Sequence, residues 1–499
     1  MKLILLLTTC LFSAFHHHAQ ENKEIESWIT SQDRTRLFQK ENKVISFSKE
    51  NNPRYPAIII DPNQTMQTID GFGFAVTGGS AELLMKMEAK KRREILQNVY
   101  GTNPEDIGVS YVRLSIGSSD LNSFTFSYND LEKGEEDYKL EKFSLSQDLR
   151  DVVPVMREIL EINPEIKVMG SPWSAPLWMK TNDNIRGGKL KEDCYEVYAD
   201  YFVKYILEMK EQGISIDAIT IQNEPMNSRN TPSMSWFWFE QADFIKNHLG
   251  PKFKENKLST KIVIFDHNTD RPDYPLSILQ DTAASKFIDG SAFHNYRGNM
   301  ESMSMVHRAR PDKNIYFTEQ MVTENPQSDS IDITGPVNRL VIEGINNWSR
   351  NIILWNLAAD PENDPHTSNG GCSMCQGALT INGNKVSRNL AFYTIAHASK
   401  LVRPGSRKIY STQGDDPIVY IYQDEQRPMV NRVWSSNQNN LLPNVAFKTP
   451  DDKIVLIVAN TSLGKNSFKI QYGGEFAVLS LDPGSVGTFI WKNYNNNEK

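Results

Sequence analysis

Short β-rich runs alternate with longer helical patterns from about residue 107 to residue 397, and this alternation constrains the fold more than any other feature. An earlier strand is expected near "QTIDGFGFAVTGG". The later runs are "GVSYVRLSIG", "IKVMGSPW", "IDAITIQNE", "KIVIFDHN", "GSAFHNY", "NIYFTEQ" and "RNIILWNLA", and helical patterns lie between them, for example at 146–163, 193–212, 236–249 and 336–350. Such alternation predicts an α/β fold with a parallel sheet, and eight strands are the number that closes a (β/α)₈ TIM barrel.

The two flanks of this region carry β patterns without long helices. Residues 395–495 contain "PIVYIYQD", "NVAFKTPDDKIVLIVANT", "FKIQY", "FAVLSL" and "GTFIW", and residues 44–60 contain "VISFSKE" and "YPAIIID". We predict an attached β-sandwich domain built from both chain ends. The expected division is a signal peptide at 1–19, N-terminal sandwich strands at 20–68, the barrel at 69–397 and C-terminal sandwich strands at 398–499.

The N-terminal stretch "MKLILLLTTCLFSAF" combines one lysine with an apolar run too short to span a bilayer, which is typical of a secretory signal peptide. Cleavage after Ala19 or Ala14 would give a secreted protein, whether periplasmic, on the cell surface or extracellular. The histidines at 16–18 lie at the edge of this removed segment, so we predict no metal site there. The net charge of −7 argues against nucleic-acid or anionic-membrane binding, and no membrane span is predicted. The oligomeric state is not indicated.

Three cysteines remain after the signal peptide. Cys372 and Cys375 have the spacing of a zinc ribbon or redox motif, but no second such pair follows. In an exported protein a small loop disulfide between these two is the favoured interpretation. Cys194 lies in an amphipathic run and is interpreted as a buried thiol.

Polar and aromatic residues follow almost every predicted barrel strand, and the carboxyl ends of barrel strands converge on the face where active sites are built. They are Ser115, Trp173, Asn223, Glu224, Asp266, His267, His294, Tyr296, Glu319, Trp355 and Asn356. Exit of each strand into a polar loop explains single cases, but not a collection that combines acids, imidazoles, amides and indoles.

Two glutamates in this collection, Glu224 and Glu319, each follow a buried-looking strand. Pro225 cannot donate to a sheet and favours an extended Glu224, which would hold its carboxylate at a rigid strand tip. Cleavage of a glycosidic bond needs such a pair, because one carboxyl protonates the leaving oxygen and the other meets the positive charge at the anomeric carbon. The sequence has no helical His pair beside a carboxylate, no phosphate-binding Gly loop and no Gly-x-Ser-x-Gly elbow, so no metal or cofactor is predicted.

The neighbouring residues suit sugar binding. Asn223 is placed to hydrogen-bond a sugar 2-hydroxyl, and His294 and Tyr296 could hydrogen-bond Glu319 and keep it ionised. Trp173 and Trp355 could face the apolar sides of a sugar ring. Ordinary packing is the alternative for these aromatic and imidazole side chains.

Seven motifs, in order along the chain, resemble glycoside hydrolase family 30, the glucosylceramidase-like enzymes of clan A. They are "IDGFGFAVTGGSAELL", "VRLSIGSSDLNSFTFSY", "GSPWSAPLWMKTN", "TIQNEP", "AFHNY", "FTEQ" and "LWNLA". The resemblance implies a barrel with an attached β-sandwich. It also implies that Glu224 is the general acid/base, Glu319 the nucleophile and Asp120 a ligand of the sugar hydroxyls. Trp173, Asn223 and Trp355 match further sugar contacts, and His294 and Tyr296 match partners near the nucleophile.

The loop "GGCSMCQGALTI" resembles the bacterial and fungal branch that contains β-1,6-glucanases and β-glucosidases. The expected function is therefore that of a secreted retaining β-glycosidase with β-1,6-glucan as the leading substrate. A β-glucosidase or β-xylosidase acting on short oligosaccharides and a glucosylceramidase are alternatives within enzymes. A non-catalytic glycan-binding protein is the alternative from another class.

Overall fold

The computed structural model describes residues 23–52, 54–412, 418–424, 427–436 and 442–494. The predicted signal peptide, the histidines at 16–18 and the last five residues lie outside the described residues.

Eight parallel strands form a closed barrel, which confirms the predicted fold class. Each strand pairs in parallel with its neighbours in chain order, and the last strand pairs with the first. Barrel strands 1 to 8 are Gly71–Val76, Tyr111–Ile116, Lys167–Pro172, Ala218–Thr220, Lys261–Asn268, Ile288–His294, Asn314–Glu319 and Ser349–Leu354.

Helices cover the outside of the barrel. α-Helices lie at Gly78–Lys86, Ala89–Tyr100, Val152–Ile162, Tyr195–Glu211, Trp238–Phe244, Gly250–Glu255, Asp273–Gln280, Thr282–Ser285, Glu301–Ala309, Thr334–Pro336, Glu343–Asn346 and Leu390–Ser399. Ile245–Leu249 and Val337–Ile342 are π-helical, and Leu177–Met179 and Glu192–Cys194 are 3₁₀ turns. None of the described helices is long and apolar enough to cross a bilayer.

The helix predicted over 236–249 continues to Glu255 through the π-helical Ile245–Leu249, and two other predicted helices also differ in their ends. Helix Val152–Ile162 starts later than the predicted residue 146, because Asp148 before it is buried and accepts a hydrogen bond from the Tyr128 hydroxyl at 2.6 Å. This tertiary contact fixes the preceding turn in place of a helical repeat. The helix predicted to reach residue 350 ends at Asn346, since Trp348 adopts a left-handed φ of 75° and barrel strand 8 begins at Ser349.

Ten strands from both chain ends form the sheet of the β-sandwich, as predicted. They are Glu24–Thr30, Gln39–Lys40, Ile45–Ser46, Ala57–Thr68, Arg407–Ser411, Asn444–Lys448, Lys453–Ala459, Asn466–Tyr472, Glu475–Leu481 and Val486–Lys492. The first described strand pairs antiparallel with the last, so the N-terminal and C-terminal sandwich segments are joined directly. The long strand Ala57–Thr68 pairs with Arg407–Ser411 and, in parallel, with Asn466–Tyr472, and side chains of these strands contribute to an apolar core.

Smaller β elements complete the description. Ala358–Ala359, Leu379–Asn382 and Lys385–Arg388 form a three-stranded sheet beyond barrel strand 8, and Ile418–Asp424 pairs with Arg427–Ser436. His397, on helix Leu390–Ser399, contacts the Oγ1 atoms of Thr30 at 2.8 Å and Thr488 at 2.9 Å. The helix that follows the barrel is therefore bonded to the first and the last described strands of the sandwich.

Candidate active site

The barrel interior changes from apolar to polar along the strands. Seven strands contribute one residue each to an apolar layer: Tyr111, Met169, Ala218, Val263, Ala292, Tyr316 and Ile353. Alternate residues of a strand face the same side, so the residue two positions later also faces inward, closer to the carboxyl end. On six of these strands that residue is Arg113, Ser171, Thr220, His294, Thr318 or Trp355, and all six are buried. The chemistry of the site is built from this layer upward.

Barrel strand 5 departs from the alternation. Phe265 and Asp266 both have positive φ, 75° and 58°, and the pairing register with strand 6 shifts at this point, which is a β-bulge. The extra residue brings the Asp266 carboxylate into the barrel, where it accepts hydrogen bonds from Ser171 at 2.6 Å and Thr318 at 2.6 Å. Bulges often redirect a side chain next to an active site in this way.

Glu224 and Glu319 face each other across the barrel mouth. An oxygen of each carboxylate lies within 4.8 Å of the other and of a His294 ring nitrogen. Both residues are largely buried, at 8% and 6% exposure, so only a small part of each side chain contacts solvent. The two side chains are 95 positions apart in sequence, and closure of the barrel brings them together.

The backbone of Glu224 is not extended, contrary to the expectation from Pro225. Its φ is +47°, in the left-handed region, and barrel strand 4 already ends at Thr220. The Glu224 N–H donates to the Asp266 carbonyl at 2.9 Å, and the Glu224 carbonyl accepts from the Asn227 N–H at 2.8 Å. These two bonds hold a conformation that non-glycine residues rarely adopt, which is common for residues fixed at functional sites.

Arg113 links the polar groups at the base of the site. It is 1% exposed, and its guanidinium donates to Glu319 at 2.6 Å, Asp266 at 2.8 Å, the Asn223 Oδ1 at 2.8 Å and Ser171 at 3.1 Å. Two buried carboxylates thus share one fixed positive charge, which stabilises their ionised forms.

Glu319 has strong donors on both of its oxygens. Besides Arg113 on Oε2, the Tyr296 hydroxyl donates to Oε1 at 3.0 Å. Burial raises the pKa of Glu319, and the positive charges of His294 and Arg113 oppose that shift. The predicted contact with Tyr296 is present, whereas the predicted hydrogen bond from His294 to Glu319 is not formed, because the two atoms lie 3.9 Å apart.

His294 instead joins Glu224 to Asp266. Its Nδ1 lies 3.3 Å from Glu224 Oε1 and its Nε2 3.0 Å from Asp266 Oδ1. Burial acts to lower its pKa, but the charge of Glu319 and the bonds to Asp266 and Glu224 raise it to about 9. The bulge that turns Asp266 inward explains the orientation of the imidazole, since it gives Nε2 a buried anionic partner.

The surroundings of Glu224 favour its anion in the substrate-free site. Burial acts to raise its pKa, but the His294 hydrogen bond, the charges of His267 and His294, and a 2.6 Å hydrogen bond from Asn227 Nδ2 lower it to about 2. Glu224 and Glu319 are close enough for their titrations to be coupled, so a change at either carboxyl affects the other.

Asp120 is a buried acid near the carboxylate pair. Burial, followed by the negative charges of Glu319 and Glu224, raises its pKa to about 8. Its Oδ1 is buried without a hydrogen-bond partner among the described residues, and the same holds for the indole Nε1 of Trp173. Buried polar atoms without partners are costly in a protein interior, and a bound ligand would satisfy them.

Trp173 and Trp355 stack on each other, with ring centroids 5.3 Å apart and planes inclined by 25°. The Arg113 guanidinium carbon lies 4.9 Å from the centroid of Trp173 and 5.8 Å from that of Trp355. The rings are buried with Cys375 in one apolar cluster. Cys372 and Cys375 are joined by an S–S bond, and Cys194 is a buried free thiol.

The donor set of Glu224, His294 and Glu319 is also close enough to hold a metal ion. However, the guanidinium of Arg113 already occupies one oxygen of Glu319 at 2.6 Å, and the imidazole of His294 is favoured in its protonated form. Both positive charges oppose a bound cation. The cluster is therefore better suited to holding protons than a metal.

Comparison with known proteins agrees with this geometry. The model of the glycosyl hydrolase family 30 TIM-barrel domain matches residues 69–402, and that of the family 30 β-sandwich domain matches residues 431–489. The chain belongs to glycosyl hydrolase family 30. It is a glycoside hydrolase.

The similar proteins include endo-1,6-beta-glucanases and a putative glucosylceramidase. The chain is 33% identical over 361 residues to endo-1,6-beta-D-glucanase neg1 of Aspergillus fumigatus, covering 68% of this chain and 71% of that protein. It is 28% identical over 500 residues to putative glucosylceramidase 3 of Caenorhabditis elegans, covering 93% and 87%. The solved structure of the endo-beta1,6-glucanase BT3312 matches with a TM-score of 0.82 at 33% identity, covering 94% and 99%.

Sequence reasoning assigned no function to three residues of this candidate site. Arg113 was recognisable as a lone cation inside an apolar strand, "SYVRLSIG". Asp266 lies among the polar strand ends, but its position in the barrel depends on the bulge, which the sequence pattern does not show. Asn227, three residues after Glu224, had no distinguishing signal in a polar loop.

Proposed function

We propose that this protein hydrolyses β-1,6-linked glucan with retention of anomeric configuration. The observation that carries the proposal is the separation of the two carboxylates, with oxygens of Glu224 and Glu319 within 4.8 Å of each other. Retaining glycosidases place their carboxyl groups about 5–5.5 Å apart, whereas inverting enzymes need about 6.5–9.5 Å to accommodate a water molecule.

In the first step an oxygen of Glu319 attacks the anomeric carbon while Glu224 gives its proton to the departing glycosidic oxygen. The bond to the aglycone breaks and a glycosyl ester of Glu319 forms. Arg113 and Tyr296 orient the attacking carboxylate through bonds of 2.6 Å and 3.0 Å. In the second step Glu224 removes a proton from water, the water oxygen attacks the anomeric carbon, and Glu319 is released as a carboxylate.

The acid step requires a proton on Glu224, whose anion is favoured in the empty site. A sugar ring in the mouth adds to the desolvation that already acts to raise this pKa. Formation of the neutral ester at Glu319 then removes a nearby negative charge, which favours the ionised, basic form of Glu224 for the second step. Glu224 must be protonated in the first step and ionised in the second. Binding of the sugar raises its pKa for the first step, and formation of the ester lowers it for the second.

Substrate recognition rests on the buried groups without partners. Asp120, neutral at pH 7, can both donate to and accept from a sugar hydroxyl, and the Trp173 indole N–H can donate. Because Arg113 donates to the side-chain Oδ1 of Asn223, the side-chain Nδ2 of Asn223 is the group that can donate to the sugar 2-hydroxyl.

The linkage is proposed from the relatives named endo-1,6-beta-D-glucanase and from BT3312. Glucosylceramide hydrolysis is the second candidate, because a relative named putative glucosylceramidase 3 is 28% identical. The signal-like N-terminus supports export of the enzyme.

A Glu319→Ala variant tests the nucleophile. We expect loss of turnover on an aryl β-glucoside, with recovery on addition of azide to give a glycosyl azide of inverted configuration. Glu224→Ala should retain its first step on substrates with good leaving groups and lose it on glucan. Unchanged activity of Glu319→Ala would refute the assignment, and product analysis on β-1,6-glucan, β-1,3-glucan, xylan and glucosylceramide settles the substrate.

A further inference from the structure

Three consecutive large aromatic residues are exposed at the start of one helix. Phe237, Trp238 and Phe239 are 49%, 41% and 52% exposed, although Trp236 before them is buried. Single exposed apolar side chains are common on protein surfaces, but contiguous apolar patches usually mark a binding site. We refer to residues 237–239 as the aromatic rim.

The aromatic rim lies at the mouth of the barrel. Helix Trp238–Phe244 follows barrel strand 4, so its first turn is at the end of the barrel where the strand carboxyl ends meet. The Trp236 N–H donates to the Pro225 carbonyl at 2.9 Å, which places the residue before the rim beside the residue after Glu224. The Cα atoms of Phe237 and Glu224 are each one residue away from this hydrogen-bonded pair, so they lie within about 13 Å of each other.

Polar contacts fix the rings in place. The Lys189 ammonium lies 4.1 Å from the Phe237 ring centroid, and Phe237 stacks on Phe239 at 5.6 Å with planes inclined by 20°. The Glu240 carboxylate accepts hydrogen bonds from the Phe237 N–H at 2.7 Å and from Lys189 at 2.6 Å. The stacked rings therefore have a charged donor and a charged acceptor directly beside them.

The loop before the rim is held by a buried lysine. Lys180 is 1% exposed, and its ammonium donates to the carbonyls of Asn184 at 2.5 Å and Ser233 at 2.8 Å. These bonds join the loop after barrel strand 3 to the loop after strand 4. The rim is thus a preorganised surface, which lowers the entropic cost of binding.

We propose that the aromatic rim binds glucosyl units of the glucan chain beyond the one at the cleavage site. This inference rests on the proposed function. A sugar presents an apolar C–H face and a hydroxyl edge, which match a ring flanked by Lys189 and Glu240. A lipid surface would place this ion pair in an apolar environment, and the net charge of −7 does not favour an anionic membrane.

The test compares substrates of different length. Kinetics are measured for the wild type and for Phe237→Ala/Trp238→Ala/Phe239→Ala on an aryl β-glucoside and on β-1,6-gluco-oligosaccharides of increasing length. We expect the ratio of kcat/KM on the longest oligosaccharide to that on the aryl glucoside to fall about tenfold in the variant, through KM. The affinity of these oligosaccharides is also measured by titration into Glu319→Gln protein, with and without the triple change. The triple change should weaken binding of the longest oligosaccharide about tenfold in this protein, which does not turn over substrate.

Two control variants accompany the test. Tyrosine at all three positions keeps the rings and should keep the chain-length dependence, and Leu463→Ala removes a fully exposed apolar side chain from the sandwich and should change nothing. An alanine variant with the wild-type chain-length dependence would overturn the proposal. The proposal would also be overturned if the only defect of the alanine variant were that it no longer sediments with phosphatidylcholine vesicles while the wild type does. A wild-type enzyme that cleaves no glucoside would instead refute the proposed function.

Discussion

Replacing Arg113 with glutamine removes the fixed positive charge beside Glu319 but keeps a side chain that can hydrogen-bond. At about 4 Å and an effective dielectric constant of about 20, one ion pair is worth about 4 kcal/mol, or about three pKa units. Glutamine retains part of this through its hydrogen bonds, so we expect the pKa of Glu319 to rise by about two units. In the proposed mechanism Glu319 must be ionised to attack, and the acidic limb of kcat/KM should therefore move to higher pH by the same amount.

The assay is the pH profile of kcat/KM on an activated aryl β-glucoside, with circular dichroism at each pH to confirm folding. Removal of one partner of a buried ion pair also costs about 3–5 kcal/mol of stability, so the profile is recorded well below the unfolding temperature. Arg92→Gln is the matched control, because Arg92 pairs with Glu158 at 2.6 Å between two outer helices, remote from the barrel interior.

A double variant tests whether the change in the pKa of Glu319 is due to charge. In Arg113→Gln/Asp266→Asn the buried anion that shares the guanidinium is also neutral, so the acidic limb should return towards the wild-type position. An acidic limb that stays in place in Arg113→Gln would refute the argument that this arginine stabilises the ionised nucleophile.

Two further predictions concern buried side chains. Asn227→Leu removes the 2.6 Å bond that lowers the pKa of Glu224, so the basic limb of kcat on a β-1,6-gluco-oligosaccharide, whose cleavage needs the acid, should move to higher pH by about one unit. An unchanged basic limb on that substrate would contradict this. Burial lowers the pKa of His397 to about 3, below its unfolded value, so this residue contributes stability that is fully present above about pH 6.5 and is lost as pH falls towards 3. Denaturant unfolding of His397→Gln should show up to about 4 kcal/mol less dependence on pH across that interval than the wild type, and equal slopes would exclude the effect.

The local sequence contained most of the information on the elements. Apolar, β-branched runs identified the barrel strands, because burial on both faces requires near-continuous apolar side chains. The polar strand ends identified Glu224, Glu319 and their neighbours as a group, since parallel strands in a barrel share one carboxyl face. Helix ends were less accurate, as at Val152 and Asn346, where a buried aspartate and a left-handed tryptophan override the helical pattern.

By itself, the sequence determined the barrel, the sandwich and the pair of glutamates, because side-chain periodicity and strand-end chemistry are properties of neighbouring residues. Only the tertiary structure decided how these groups touch. The bulge at Asp266, the left-handed backbone of Glu224 and the four bonds of Arg113 each depend on strands from distant parts of the chain. Closure of the barrel sets those contacts, and the ionisation of both carboxylates follows from them.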